Sequence, residues 1–160
     1  MESQVGRKQN SIIMSERKPK NIFNQGAIPS TFIAESIQKH STQTAIGGHS
    51  IFLGQIRADE TENGKVRAID FTAYEDMAIE KMHVIREDIF AKYPLTCMHV
   101  HHSLGEIAAG EICLFVFTSS AHRKAAIDAC NEIVERLKAE LPIWGREIMC
   151  DDSHKWKVNK

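Results

Sequence analysis

Apolar residues recur along this chain with two periods, and the change from one to the other divides it into helices and strands. From Glu75 to Tyr93, the residues Ala78, Met82, Ile85 and Ile89 follow each other at spacings of four, three and four, which places them on one face of a helix that Pro94 stops. A second long helix is predicted from Ala121 to Glu140, with Ala126, Ala129, Ile133 and Leu137 as its stripe and Pro142 closing it. A shorter one fits Pro29 to His40, with Ser30 or Thr31 as its cap and Phe32, Ile33, Ser36 and Ile37 along one side. Between these, period two takes over. HSIFLGQIR and VRAIDFTAY read as the two strands of a hairpin whose polar loop closes on Asn63-Gly64. TCMHVHHS reads as a strand, LGEIAAGE as a turn, and EICLFVFTSS as an apolar strand buried on both faces. WGREIMC, a DDS turn and HKWKV form a last short hairpin. The order α-β-β-α-β-β-α-β-β, built from hairpins rather than repeated crossovers, predicts an α+β fold with a mainly antiparallel sheet and flanking helices. Residues 1–20 show neither period and are expected to form a flexible tail, leaving residues 21–160 as one domain.

Composition narrows the function classes. Twenty basic residues against 21 acidic ones give a net charge of −1, without the basic excess of a nucleic-acid-binding domain. No apolar run approaches the roughly 20 residues of a membrane helix. The opening segment holds only Ile12, Ile13 and Met14 as an apolar cluster, so a cytoplasmic protein without a secretory leader is expected. Cys97, Cys113, Cys130 and Cys150 form no C-x-x-C pair and read as structural thiols. Neither a metal centre nor a resident cofactor is expected.

The chemistry concentrates where the apolar strand meets the last helix, at Thr118-Ser119-Ser120-Ala121-His122-Arg123-Lys124. A helix start exposes unpaired amides and partial positive charge, which favours acidic side chains. This chain puts His122, Arg123 and Lys124 there instead. Basic side chains beside helix-start amides make a receptor for a phosphate. Lys138 borders the apolar stripe of the same helix; there it either buries its stem and extends its amine outward, the commoner arrangement, or is partly desolvated, which lowers an amine's pKa and makes it a better base or nucleophile. His99 and His101 share one face of a strand and His102 takes the other. A pair at i and i+2 can bind a metal, but no matching carboxylate or cysteine motif accompanies it, so His99 and His101 read as a ligand-contacting or merely exposed pair. Arg57 ends a strand beside a glycine-containing loop, a position suited to anion contact.

The segments FLGQIR, AYEDMA, HHSLGEI, SSAHRKAA, LK and PIWGRE, in this order and spacing, resemble the MoaE family, the large catalytic subunits of molybdopterin synthase. The resemblance spans roughly Gly26 to Val158 and implies an α/β hammerhead-type fold and a homodimer at the centre of a heterotetramer. It implies as partner a small ubiquitin-like sulfur-carrier subunit ending in a glycine thiocarboxylate. Its substrate would be cyclic pyranopterin monophosphate, converted by sulfur transfer into the dithiolene of molybdopterin in molybdenum cofactor biosynthesis. By position, Arg57, His122 and Arg123 would contact the anion and pterin phosphate, and Lys138 would serve proton transfer or hold the acyl tail. The family usually carries a lysine directly after the tryptophan of PIW, where this chain has Gly145. Arg146 follows directly, but adjacent strand residues point to opposite faces and an arginine stays protonated, so it does not by itself replace that amine. Lys138 and Lys155 are the residues at hand to do so, and without a replacement the chain would be a non-catalytic pterin- or partner-binding protein of the same family. His122 and Lys138 lie about 24 Å apart along one helix, so a shared substrate implies a site completed by two copies.

Overall fold

The computed structural model describes residues 19–159, so all but the last two residues of the expected tail lie outside the described residues. The chain runs β1 (Phe23–Gln25), α1 (Ser30–Lys39), a 3-10 turn (His40–Thr42), β2 (Gly48–Gln55), β3 (Glu60–Thr61) and β4 (Gly64–Ala73). It continues with α2 (Glu75–Lys92), β5 (Leu95–Ala108), β6 (Ile112–Ser120), α3 (Arg123–Glu140), β7 (Ile143–Met149) and β8 (His154–Trp156). The strands form one sheet in the order β2-β6-β5-β4-β7-β8, with β1 beside β5 and β3 beside β4. Among these pairings only β1 with β5 is parallel, as the α+β reading requires.

Both long helices bury the stripes their spacing predicts. Ala78, Met82, Ile85 and Ile89 of α2 and Ala129, Ile133 and Leu137 of α3 pack into one core with Met98, Val100, Leu114 and Val116 of the sheet, and Ala126 is buried as well. The opposite face of β6 carries Phe115 and Phe117, which pack with Ile28 and with Ile33 of α1. β6 is therefore covered on both sides, and its residues from Cys113 to Ser120 are all buried. The buried hydroxyls near its end find partners. Thr118 Oγ1 donates to the Ala126 carbonyl at 2.7 Å, and Ser120 Oγ to the His122 carbonyl.

Three local expectations are corrected. HSIFLGQIR and VRAIDFTAY are not hairpin partners: β2 pairs along its length with β6, and Asn63-Gly64 closes only the two-residue β3 onto β4. A central apolar strand has two edges of backbone groups to satisfy, and β2 serves one while β5 serves the other. The intervening chain is anchored across the sheet instead, with Ile56 exchanging backbone hydrogen bonds with Glu111 and Gly110. LGEIAAGE is not a turn either. β5 runs through it to Ala108, pairing first with β6 and then, past His102, with β4. Finally, α1 opens from Pro29 without a side-chain cap.

Gly47 ties the last turn before α3 to the sheet. Its N–H donates to the Ser120 carbonyl at 3.0 Å, and a Cβ at this position would stand 2.2 Å from the Ala121 carbonyl oxygen. No L side chain fits there without moving backbone. Gly47→Ala should cost about 1–3 kcal/mol of stability as the turn is displaced. A denaturant midpoint equal to that of the wild type would show that the turn yields freely.

Candidate active site

α3 is continuous over 18 residues, and it ends at a different cleft on each side. At its start, His122 is the N-cap in extended conformation and Arg123 the first helical residue, with no acidic residue in the first turn. His122, Arg123, Lys124, Ile127 and Asp128 line an open depression of about 380 Å³. Lys124 pairs with Asp128 one turn on, at 2.7 Å. This leaves the N-cap imidazole and the Arg123 side chain beside the helix-start amides, an arrangement suited to a phosphate.

At the other end, Lys138 in the last turn of α3 faces a smaller cavity of about 100 Å³. Gly54, His102, Cys113, Gly145 and Lys157 line it as well. β5 supplies His102, β6 supplies Cys113, and β7 supplies Gly145. Lys157 follows β8 and is held by its backbone N–H donating to the Gly145 carbonyl at 2.9 Å. The lysine thus sits directly across from the glycine. The positive charges of Lys138 and Lys157 both favour ionisation of the Cys113 thiol, but burial dominates and pushes that thiol up. Its Sγ–H donates to the Gly54 carbonyl at 3.5 Å.

His102 forms the floor of this cavity. It is 7% exposed, its Nδ1–H donates to the Ser103 carbonyl at 2.7 Å, and its ring meets Phe71 edge-on. Burial, assisted by the Lys138 charge, brings its pKa down to about 4. The imidazole is neutral at physiological pH and is available as an acceptor rather than a charge.

The remaining sequence candidates lie elsewhere. Arg57 follows Ile56, which lines the smaller cavity, but its guanidinium is exposed and paired with Asp59 at 3.2 Å. Arg146 points away from Gly145, as strand alternation requires, and pairs with Asp70 at 2.9 Å. Lys155 stands opposite Glu147, two residues short of the cavity. His101 stacks on Phe115 and meets Phe32 edge-on, in the small core under α1. Lys157 is the residue that sequence reasoning missed. Its signal was present in the final hairpin, whose register puts residue 157 across from residue 145 once Arg146 is paired with Trp156.

The family model described as MoaE protein matches residues 29–140, which contain both clefts' α3 residues. The chain belongs to the MoaE family. It is 34% identical over 128 residues to the molybdopterin synthase catalytic subunit of Pyrococcus abyssi, a match covering 80% of this chain and 85% of that one. The crystal structure of molybdopterin synthase from Staphylococcus aureus superposes with a TM-score of 0.74 at 28% identity, covering 86% of this chain and 96% of that chain. A complex of subunits 1 and 2 of the molybdopterin-converting factor from Helicobacter pylori superposes equally well, with a TM-score of 0.74 over 86% of this chain and 90% of that chain. At 17% identity that likeness concerns the fold alone. Among the described residues, no helix of this MoaE protein is long and apolar enough to cross a membrane. Its role is that of a catalytic subunit in molybdopterin synthesis.

The glycine of this MoaE chain is explained by its neighbours and not by its backbone. Gly145 has no positive φ, but a Cβ there would stand 2.9 Å from Ile69 Cγ2 and 3.2 Å from Phe71 Cε1. Gly145→Lys should therefore lower stability by about 1–3 kcal/mol through crowding and bring no gain in turnover. A stable variant with faster turnover would show that the missing amine limits the chain. His102 generates a second expectation. The unfolded imidazole takes a proton near pH 6.5, while the folded one resists until about pH 4. Stability is thus fully present above the higher value, falls as pH drops between the two, and falls no further from this cause below the lower one. Urea titrations across this range should show a shallower slope for His102→Gln; an unchanged slope would remove His102 from the acid response.

Proposed function

We propose that this chain transfers two sulfur atoms, one from the C-terminal thiocarboxylate of each of two small ubiquitin-like subunits, to cyclic pyranopterin monophosphate, forming the molybdopterin dithiolene. The observation that carries this reading is the convergence of Lys138 and Lys157 on one glycine-lined cavity. Its narrowness suits an extended tail of small residues rather than a pterin ring system. An ammonium beside a thiocarboxylate balances its charge and holds the acyl carbon in place. As sulfur leaves and water takes its place on that carbon, protons must move, and Lys138 is the group placed to carry them. Lys157 provides the second amine in place of the one absent at Gly145, which favours an active subunit over a purely binding one. Neutral His102 accepts a hydrogen bond without adding repulsion to the two lysines.

The pterin phosphate belongs to the other end of α3, against His122, Arg123 and the helix-start amides, with Arg57 as a further anion contact. Since the two ends of α3 lie about 24 Å apart, one substrate reaches both only when two copies combine, each lending its phosphate end to the other's cavity. Edge strand β2 exposes Ile51, Phe52 and Leu53 at 37–41%, an apolar strip suited to packing between copies. The Helicobacter pylori assembly, a complex of two different subunits, supports a small-subunit partner, and a heterotetramer is consistent with it. Cys97, Cys113, Cys130 and Cys150 are all unpaired thiols, which suits the reducing cytoplasm.

Purified chain, thiocarboxylated small subunit and cyclic pyranopterin monophosphate should together yield the dithiolene product. Lys138→Ala should abolish turnover and Lys157→Ala reduce it severely, both with near-native unfolding midpoints, while Lys155→Ala should leave it unchanged. Mixing inactive Arg123→Glu with inactive Lys138→Ala chains should restore about a quarter of wild-type turnover, because half the dimers then carry one intact site. Confirmed exchange without recovered activity would mean that each chain holds a complete site of its own.

A further inference from the structure

On the sheet face away from α2 and α3, cross-strand register stacks side chains in lines. His49, Ser119 and Cys97 form one line across β2, β6 and β5, and Ile51, Phe117 and His99 form the next. The 3-10 turn after α1 lowers His40 onto these lines, against the Phe117 ring at 4.8 Å. His40 Nε2 comes to 3.1 Å from His99 Nε2, and Cys97 Sγ completes a set of three donors lying within 4.8 Å of one another.

We propose that His40, Cys97 and His99 form a transition-metal site, of a kind suited to Zn²⁺, with a fourth position open to solvent. Three features of the donors support it. Tetrahedral zinc with bonds of about 2.0–2.1 Å to nitrogen requires its two nitrogens about 3.3 Å apart, close to the spacing seen here. His40 is oriented as a ligand: its Nδ1 lies 2.7 Å from the Ser36 carbonyl, which only accepts, so Nδ1 carries the proton and Nε2 presents its lone pair to the cluster. A backbone carbonyl on the far ring nitrogen is the usual support of a metal-binding imidazole. The third donor is a thiol, which selects a borderline-soft ion over Mg²⁺ or Ca²⁺. His40 is 8% exposed, whereas Cys97 is only half-buried and gives an ion its way in. Gln43 Oε1, 3.6 Å from Cys97 Sγ, borders the open position. His49 is close by but is engaged through Nδ1 with Ser119 Oγ at 2.7 Å. The site is separate from both clefts at the ends of α3 and does not depend on their assignment.

Untagged, metal-free full-length chain titrated with Co²⁺ gives the test. One equivalent should produce the near-ultraviolet thiolate-to-cobalt charge-transfer band and the visible bands of a tetrahedral ion, and Zn²⁺ should displace both. Cys97→Ser, a change at a half-buried position, should remove the charge-transfer band and weaken Zn²⁺ binding at least tenfold; His99→Gln should do the same to affinity. Cys150→Ser, which alters an exposed thiol elsewhere, should retain every signal. Zn²⁺ should also raise the unfolding midpoint of the wild type but not of Cys97→Ser. The absence of the band, or Zn²⁺ affinity and midpoint unchanged in Cys97→Ser, would overturn the site. Cu²⁺ binding with Cys97-dependent charge transfer where Zn²⁺ fails to bind would overturn the zinc assignment.

Discussion

The burial of β6 on both faces is the constraint from which the rest of the structure follows. Its residues from Cys113 to Ser120 are all buried, so their peptide groups must be paired inside the protein. β2 and β5 meet that demand along its two edges. α3 covers one face and α1 the other, each contributing apolar side chains that match the strand's own. Once β6 is fixed, its end fixes the turn from Ser120 to Arg123, because Ser120 Oγ, the Ser120 carbonyl and Gly47 are joined there. His122 and Arg123 are thereby set directly beyond the buried end of β6.

The length of α3 then spaces the chemistry. A helix of this length cannot bring its two ends to one small molecule, and nothing in its residues breaks it. The two ends of α3 line distinct clefts of different character: an open depression beside His122, Arg123 and Lys124, and a smaller cavity walled by β5, β6 and β7. In the smaller one, positive charges lie beside a neutral imidazole and a protonated thiol, so the lysines are the charged groups that a bound anion would meet.

Gly145 and Lys157 show how strand pairing brings a residue from beyond one strand's end against the middle of another. Ile69 and Phe71 fill the space that a side chain at 145 would need, and Lys157, just past β8, is held against Gly145 by its backbone N–H. Gly145 itself carries no backbone strain, since its φ is ordinary.

The helices were legible from the chain alone, because a stripe such as Ala78, Met82, Ile85 and Ile89 is a local property that any covering core will bury. The basic start of α3, the place of Lys138 and the opposite aim of Arg146 were legible for the same reason: they depend on periods of a few residues. Strand partnership was not. Asn63-Gly64 gave a correct turn with the wrong reach, since a hairpin signal is local while the competition for β6's edges is settled across the whole sheet. The nearness of Lys157 to Lys138, and of His40 to Cys97 and His99, likewise joins residues far apart in sequence. Such pairs have no spacing to read. Only the register of strands and the landing of α1 on the sheet bring them within reach of one ligand.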